Sequence, residues 1–87
     1  MTFERLSALA KMVSKYQDKM TNDNVVILIS FDQLSELRAK CTKAMMLTQD
    51  QVYLRGCKLI MVQGEHDYLA VAYETHGCFY NKQEVKT

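Results

Sequence analysis

The chain has 87 residues, of which 48% are hydrophobic and 24% charged, with a formal net charge of +1. That length holds one domain with a thin stability margin, because short chains bury a smaller share of their surface on folding. The composition excludes a disordered chain, and the near-neutral balance supplies no global field to steer a nucleic acid or an anionic membrane.

The N-terminus, Met1-Thr2-Phe3-Glu4-Arg5, has no basic region followed by an apolar stretch, so a secretory leader is not expected. Thr2 reads as the N-cap of a first helix, with Glu4 in its first turn and Lys15 and Lys19 near its end, as the macrodipole favours. Phe3, Leu6, Leu9, Ala10, Val13, Tyr16 and Met20 form one apolar stripe over roughly five turns. Thr21-Asn22-Asp23-Asn24 then breaks the helix with turn-forming residues.

Val25-Val26-Ile27-Leu28-Ile29 is the longest apolar run and shows no alternation, the pattern of a strand buried on both faces. It is far short of the ~20 residues that a membrane helix needs. Ser30 and Gln33 have the spacing of a capping box, so strand and second helix are expected to join without a loop. That helix is expected over residues 31–46, turning Phe31, Leu34, Leu37, Cys41, Ala44 and Met45 inward, with Arg38 beside the stripe and Glu36 and Lys40 paired outside.

From Gln51 the pattern changes to strands. Residues 52–54 and 57–62 flank Arg55-Gly56, where Gly56 can supply a positive φ. Gln63-Gly64-Glu65-His66-Asp67 reads as a hairpin loop and residues 68–73 as a third β segment. Thr75-His76-Gly77 turns again before Cys78-Phe79-Tyr80, a short strand or docked segment. The expected fold is α+β: a two-layer sandwich of two helices on a mainly antiparallel sheet of about four strands, in the order α-β-α-β-β-β. Residues 1–80 form the domain, with the first strand inside the sheet, and residues 81–87 are expected as a polar, flexible tail.

Motifs of chemistry are sparse. Zinc sites use closely spaced ligand pairs, whereas Cys41, Cys57, Cys78, His66 and His76 are scattered apart from His76-Gly77-Cys78. Three widely spaced cysteines fit reduced thiols in a cytoplasm, with Cys41 and Cys57 in the core, better than a disulfide framework. Cys78, His76, Glu65 and Asp67 could supply a nucleophile, a base and an orienting acid, but no nucleophile elbow accompanies them. A chain this short also has little room for a pocket of ~300 Å3. None of Gly56, Gly64 and Gly77 opens a helix, so a phosphate-cradling loop is excluded. No catalytic residue, metal or cofactor is expected.

Two function classes remain. The first is a small non-enzymatic protein-binding module acting through an apolar sheet face, as a homo-oligomer or against another protein. Domains of this size include accessory and inhibitory proteins of phages and mobile elements. The sheet is too apolar on both sides for two single-striped helices to cover, so Ile60, Tyr68 and Tyr73 are the expected contacts. Met12 and Met46, which fit their helical faces badly, join them as adaptable apolar contacts. The second class is a nucleic-acid-associated accessory protein using Lys11, Lys15 and Lys19, which stand at i, i+4 and i+8, although Glu4 and Asp18 dilute that face.

Overall fold

A strand with no polar alternate needs neighbours on both edges and cover on both sides, and Val25 to Ile29 obtain both. The computed structural model describes residues 2–19, 23–40, 45–47, 52–54 and 56–86. Its elements are α1 (Phe3–Gln17), β1 (Asn24–Ile29), α2 (Phe31–Lys40), β2 (Met45–Leu47), β3 (Val52–Leu54), β4 (Cys57–Met61), β5 (Leu69–Thr75) and β6 (Cys78–Glu84). The strands form one mixed sheet in the order β2-β3-β4-β1-β5-β6, with both helices packed on one face. The fold is α+β as expected, with six strands instead of about four.

β1 lies inside the sheet, parallel to β4 and antiparallel to β5. Its alternate residues serve two separate clusters. Ile27 and Ile29 meet Leu9, Val13 and Tyr16 of α1 and Leu37 of α2 in the main core, together with Leu59, Leu69, Val71 and Tyr73. Val26 and Leu28 face the other way. Each fully buried aliphatic contributes about 1.5–3 kcal/mol relative to exposure, so the main core dominates the stability.

α1 begins as its sequence dictates: the Thr2 hydroxyl accepts from the Arg5 N–H at 3.1 Å. Its inward face is Leu9, Val13 and Tyr16, with Leu6 and Met12 partly buried. Phe3, assigned to the stripe, is 80% exposed, because it lies a turn beyond the part of the helix that meets the sheet. Phe31 opens α2 and is 69% exposed, beside Met61 and Val62 and away from the main core.

Three expected boundaries are corrected. α2 ends at Lys40, and Met45-Met46-Leu47 form β2, paired antiparallel with β3; strand pairing overrides the weak helical pattern there. Cys41 and Ala44 lie outside the described residues. Residues 63–67 do not close a hairpin: β4 and β5 flank β1, so this loop arches over the end of β1. The expected flexible tail is largely strand: Asn81 to Glu84 continue β6, and Val85 is fully buried in the main core, its N–H donating to the Leu69 carbonyl at 2.7 Å.

The β5–β6 turn places His76 and Gly77 at φ 52° and 80°, the two positive values that a two-residue I′ hairpin requires. Further along, the β5–β6 register slips between Val71 and Tyr73, and Asn81 takes φ 53°, a bulge that adds one residue to β6.

Val85 tests the docking of this last segment. Val85→Ala should lower stability by about 2 kcal/mol, from lost burial plus a residual cavity. An unchanged denaturation midpoint would mean that residues beyond β6 contribute nothing to the core.

Candidate functional site

Strict alternation along β1, β4 and β5 sends one set of side chains to the helices and the other to a face that no described helix covers. Two rows cross that second face: Lys58–Val26–Ala72 and Ile60–Leu28–Ala70–Glu84. Val26, Leu28, Ala70 and Ala72 are buried at its floor, where the two alanines keep the middle shallow. Ile60, Val62, Tyr68 and Phe79 rise around them, each only partly buried. The result is an apolar trough with larger side chains at its margins and charge at its ends, from Lys58, Glu74 and Glu84, the last paired with Lys86 at 3.8 Å.

The arch over β1 closes one end of this face. Ser30 leaves β1 with its N–H bonded to the Tyr68 carbonyl at 3.0 Å, and its hydroxyl accepts from the Tyr68 N–H at 3.0 Å. The capping box between Ser30 and Gln33 is therefore not formed. The Ser30 side chain is committed to the arch, while Gln33 turns its carbonyl oxygen to Arg5 at 3.2 Å. Arg5 also pairs with the Asp67 carboxylate and donates to the Asp67 carbonyl at 2.8 Å, joining the start of α1 to the arch. Asp67 adopts φ 56° there, and its N–H donates to Asp32 at 3.1 Å. The single Ser30 hydroxyl proton has two acceptors in reach, the Tyr68 carbonyl at 3.3 Å and the Asp32 carboxylate, of which the charged one is stronger. That bond, with backbone N–H groups, holds the Asp32 carboxyl below its ordinary value despite some desolvation.

Beside the arch, Phe31, Met61 and Val62 border a hollow of about 430 Å3 that Gly64, Glu65 and His66 complete. Met61 is 46% exposed here, next to the exposed Phe31. Val62 belongs to both this hollow and the trough, so the two form one continuous apolar surface.

The expected interface residues separate. Ile60 and Tyr68 lie on the trough. Tyr73 does not: it is 3% exposed on the helix side, its hydroxyl donating to the Tyr16 carbonyl at 3.1 Å. Its odd position in β5 puts it with Leu69 and Val71, opposite to Tyr68, Ala70 and Ala72. Met12 packs against the main core, so its place on the flank of α1 is an internal contact. Met46 is paired with Tyr53 in β2 and has no helical face to be judged by. Phe79, Met61 and Phe31 were missed; Val62 was not named as a contact, although alternation along its strand puts it on the face of Ile60.

The remaining candidates do not assemble a catalytic site. His76 and Cys78 are at one end of β5, while Glu65 and Asp67 are in the arch at the other, about 20 Å along the strand. No group of three or more metal-binding side chains occurs among the described residues. Pockets are larger than the chain length implied: one of about 510 Å3 lies at the far end of β1, bordered by Gln17, Lys19, Asn24, Cys57 and Lys58. The Gln17 amide donates to the Cys57 sulfur at 3.3 Å, and burial pushes that thiol up. His66 and His76 both lie elsewhere. Lys11 and Lys15 are exposed on α1, but Lys19 lies past its end at Gln17, so the three do not form one helical ladder; Lys11 and Lys15 share a hollow with Asp18, and Lys15 and Lys19 border another.

The chain is thus a two-layer α+β domain with helices on one sheet face and an apolar trough on the other. No known protein family, curated protein or solved structure matches it. No described helix is long and apolar enough to cross a membrane.

Two measurements check these local environments. Asp32 has a depressed pKa, so the stability it contributes is present above its ordinary value of 3.8 and is lost as pH falls through the lower folded value. Asp32→Asn should therefore lower the denaturation midpoint at pH 7 and approach wild type in strong acid; a constant difference at both pH values would refute the assigned cause. With a thiol reagent under native conditions, exposed Cys78 should react first and Cys57 only on unfolding. Equal rates for the two would contradict the burial of Cys57.

Proposed function

We propose that this chain is a small non-enzymatic protein-binding module that engages a protein partner, or a second copy of itself, through the trough on its helix-free sheet face. The supporting observation is the set of half-buried apolar side chains, Ile60, Val62, Tyr68 and Phe79, around a floor already closed by Val26, Leu28, Ala70 and Ala72. Half-exposed antiparallel sheets normally carry polar residues outward, and a contiguous apolar surface usually marks an interface. Exposed Phe31 and Met61 extend the same surface past the end of β1. Large, adaptable side chains around a shallow floor suit a partner's apolar segment better than a small polar ligand.

A cytoplasmic setting fits the free thiols of Cys57 and Cys78. Service as an accessory or inhibitory protein of a phage or mobile element rests on the analogy of size. A second reading, association with nucleic acid through Lys11, Lys15 and Lys19, has in its favour that all three are exposed, two on α1 and Lys19 just past its end. A gel shift that weakens steeply with salt would favour it over the first.

Sedimentation at micromolar concentration tests the proposal for self-association, and affinity capture from the native host tests it for a foreign partner. Ile60→Glu places a charge on the trough at a half-buried position, so it should abolish association while leaving the far-UV circular dichroism of the monomer unchanged. A wild type that is strictly monomeric and captures no protein would end this reading.

A further inference from the structure

On the helix side of the sheet, the end of α1 and the strand β6 enclose a groove of about 350 Å3. Its lining is Lys15, Tyr16, Lys19, Asn81, Lys82 and Gln83: three ammonium groups and two side-chain amides, without a carboxylate. All three lysines are exposed, and among the described residues none is ion-paired. The macrodipole accounts for a cation in the last turn of α1, and so for Lys15, with Lys19 two residues past the end of the helix. It does not account for Lys82, which comes from a different element and is delivered by the bulge at Asn81.

The bulge is held in place from the helix, since the Tyr16 hydroxyl donates to the Asn81 carbonyl. Burial, and then the neighbouring Tyr73, keep the Tyr16 phenol above its ordinary pKa, so it retains the proton that it donates. Lys19 rests 5.9 Å from the centre of the Tyr16 ring, and Tyr73 stacks against the same ring at 4.8 Å. Three like charges are therefore gathered around one depression by a fixed scaffold, and no carboxylate stands in its lining.

We infer that this groove binds a phosphate group, with Lys15, Lys19 and Lys82 as its charged contacts and Asn81 and Gln83 as neutral donors. A multiply charged oxyanion fits because lysine ammoniums are point charges suited to phosphate, and three of them exceed what one carboxylate would neutralise. The Tyr16 ring is occupied by Lys19 and Tyr73 and is itself buried, so the groove offers no platform for stacking a base. Recognition is thus of the phosphate, whether it is carried by a small phosphorylated molecule or by a nucleic-acid backbone. The site is independent of the trough, and it departs from the simple lysine ladder by including Lys82 and leaving out Lys11.

The test uses the full chain, inorganic pyrophosphate followed by calorimetry, and a labelled oligothymidine followed by fluorescence anisotropy, each at low and high salt. Binding of either probe should weaken about tenfold in Lys82→Gln and in Lys15→Gln, while Lys11→Gln stays within about twofold of wild type. For the oligonucleotide, Lys82→Gln should also lower the salt slope by about one. Binding of pyrophosphate alone identifies a small phosphorylated ligand; binding of the oligonucleotide, displaced by pyrophosphate, identifies the nucleic-acid source. Both outcomes support the groove. Two results would overturn it: neither probe binds at low salt, or Lys11→Gln weakens binding as much as the two groove variants. Thermal melting of each variant separates lost binding from lost folding, and Lys15→Gln carries the test if Lys82→Gln disturbs the bulge.

Discussion

Burial of β1 on both of its sides is the constraint from which the rest of the structure follows. Through its register with β4 and β5, β1 sorts every neighbouring residue onto one face or the other. Ile27 aligns Leu59 and Val71 beneath the helices, and Leu28 aligns Ile60 and Ala70 on the opposite side. A slip of one residue would exchange the two sets. It would bring small alanines under α1, where Val71 and Tyr73 now fill the space, and leave a cavity in the main core. The large residues lost from that core would be exposed to water instead.

Apolar burial alone does not fix the position of α1, because a helix can slide and rotate on a smooth surface. Directional bonds clip it at both ends. At its start, Arg5 reaches Gln33 and Asp67. At its end, the Tyr73 hydroxyl donates to the Tyr16 carbonyl while the Tyr16 hydroxyl donates to Asn81. Tyr80 continues the ring contacts, 5.5 Å from Tyr73. Both clips lie on the helix side of the sheet, and the middle of the other face, at Val26, Leu28, Ala70 and Ala72, is apolar.

Much of this architecture was legible in the sequence because it depends on local signals. The unbroken Val25 to Ile29 run identified β1 as interior, Thr2 identified the start of α1, and the His76-Gly77 pair identified the last turn. What could not be read depends on which residues meet across the chain. Ser30 and Gln33 have the spacing of a local cap, yet the arch and Arg5 compete for both side chains and win. Strand parity separates Tyr73 from Tyr68, but which of the two faces the helices would cover, and that the Tyr16 carbonyl 57 residues away would take the Tyr73 hydroxyl, is decided by tertiary contacts. The polar sequence of Asn81 to Glu84 resembled a tail because an edge strand with a bulge has neither alternation nor strong β propensity. Lys82 was missed at the candidate groove for the same reason, since nothing local links it to α1.

The bulge in β6 has a further consequence for how copies of the chain meet. A sheet edge offers its unpaired N–H and C=O groups as a template, and an uninterrupted edge invites strand after strand to add without limit. Here one edge, β2, is described over the three residues Met45–Leu47, and the other, β6, has its repeat broken at Asn81 beside a lysine. Among the described residues, neither edge presents a long regular row. Growth by edge addition is therefore blunted along the described edges, and if copies of the chain were to meet, a face would be left to them, where two-fold pairing can close on itself.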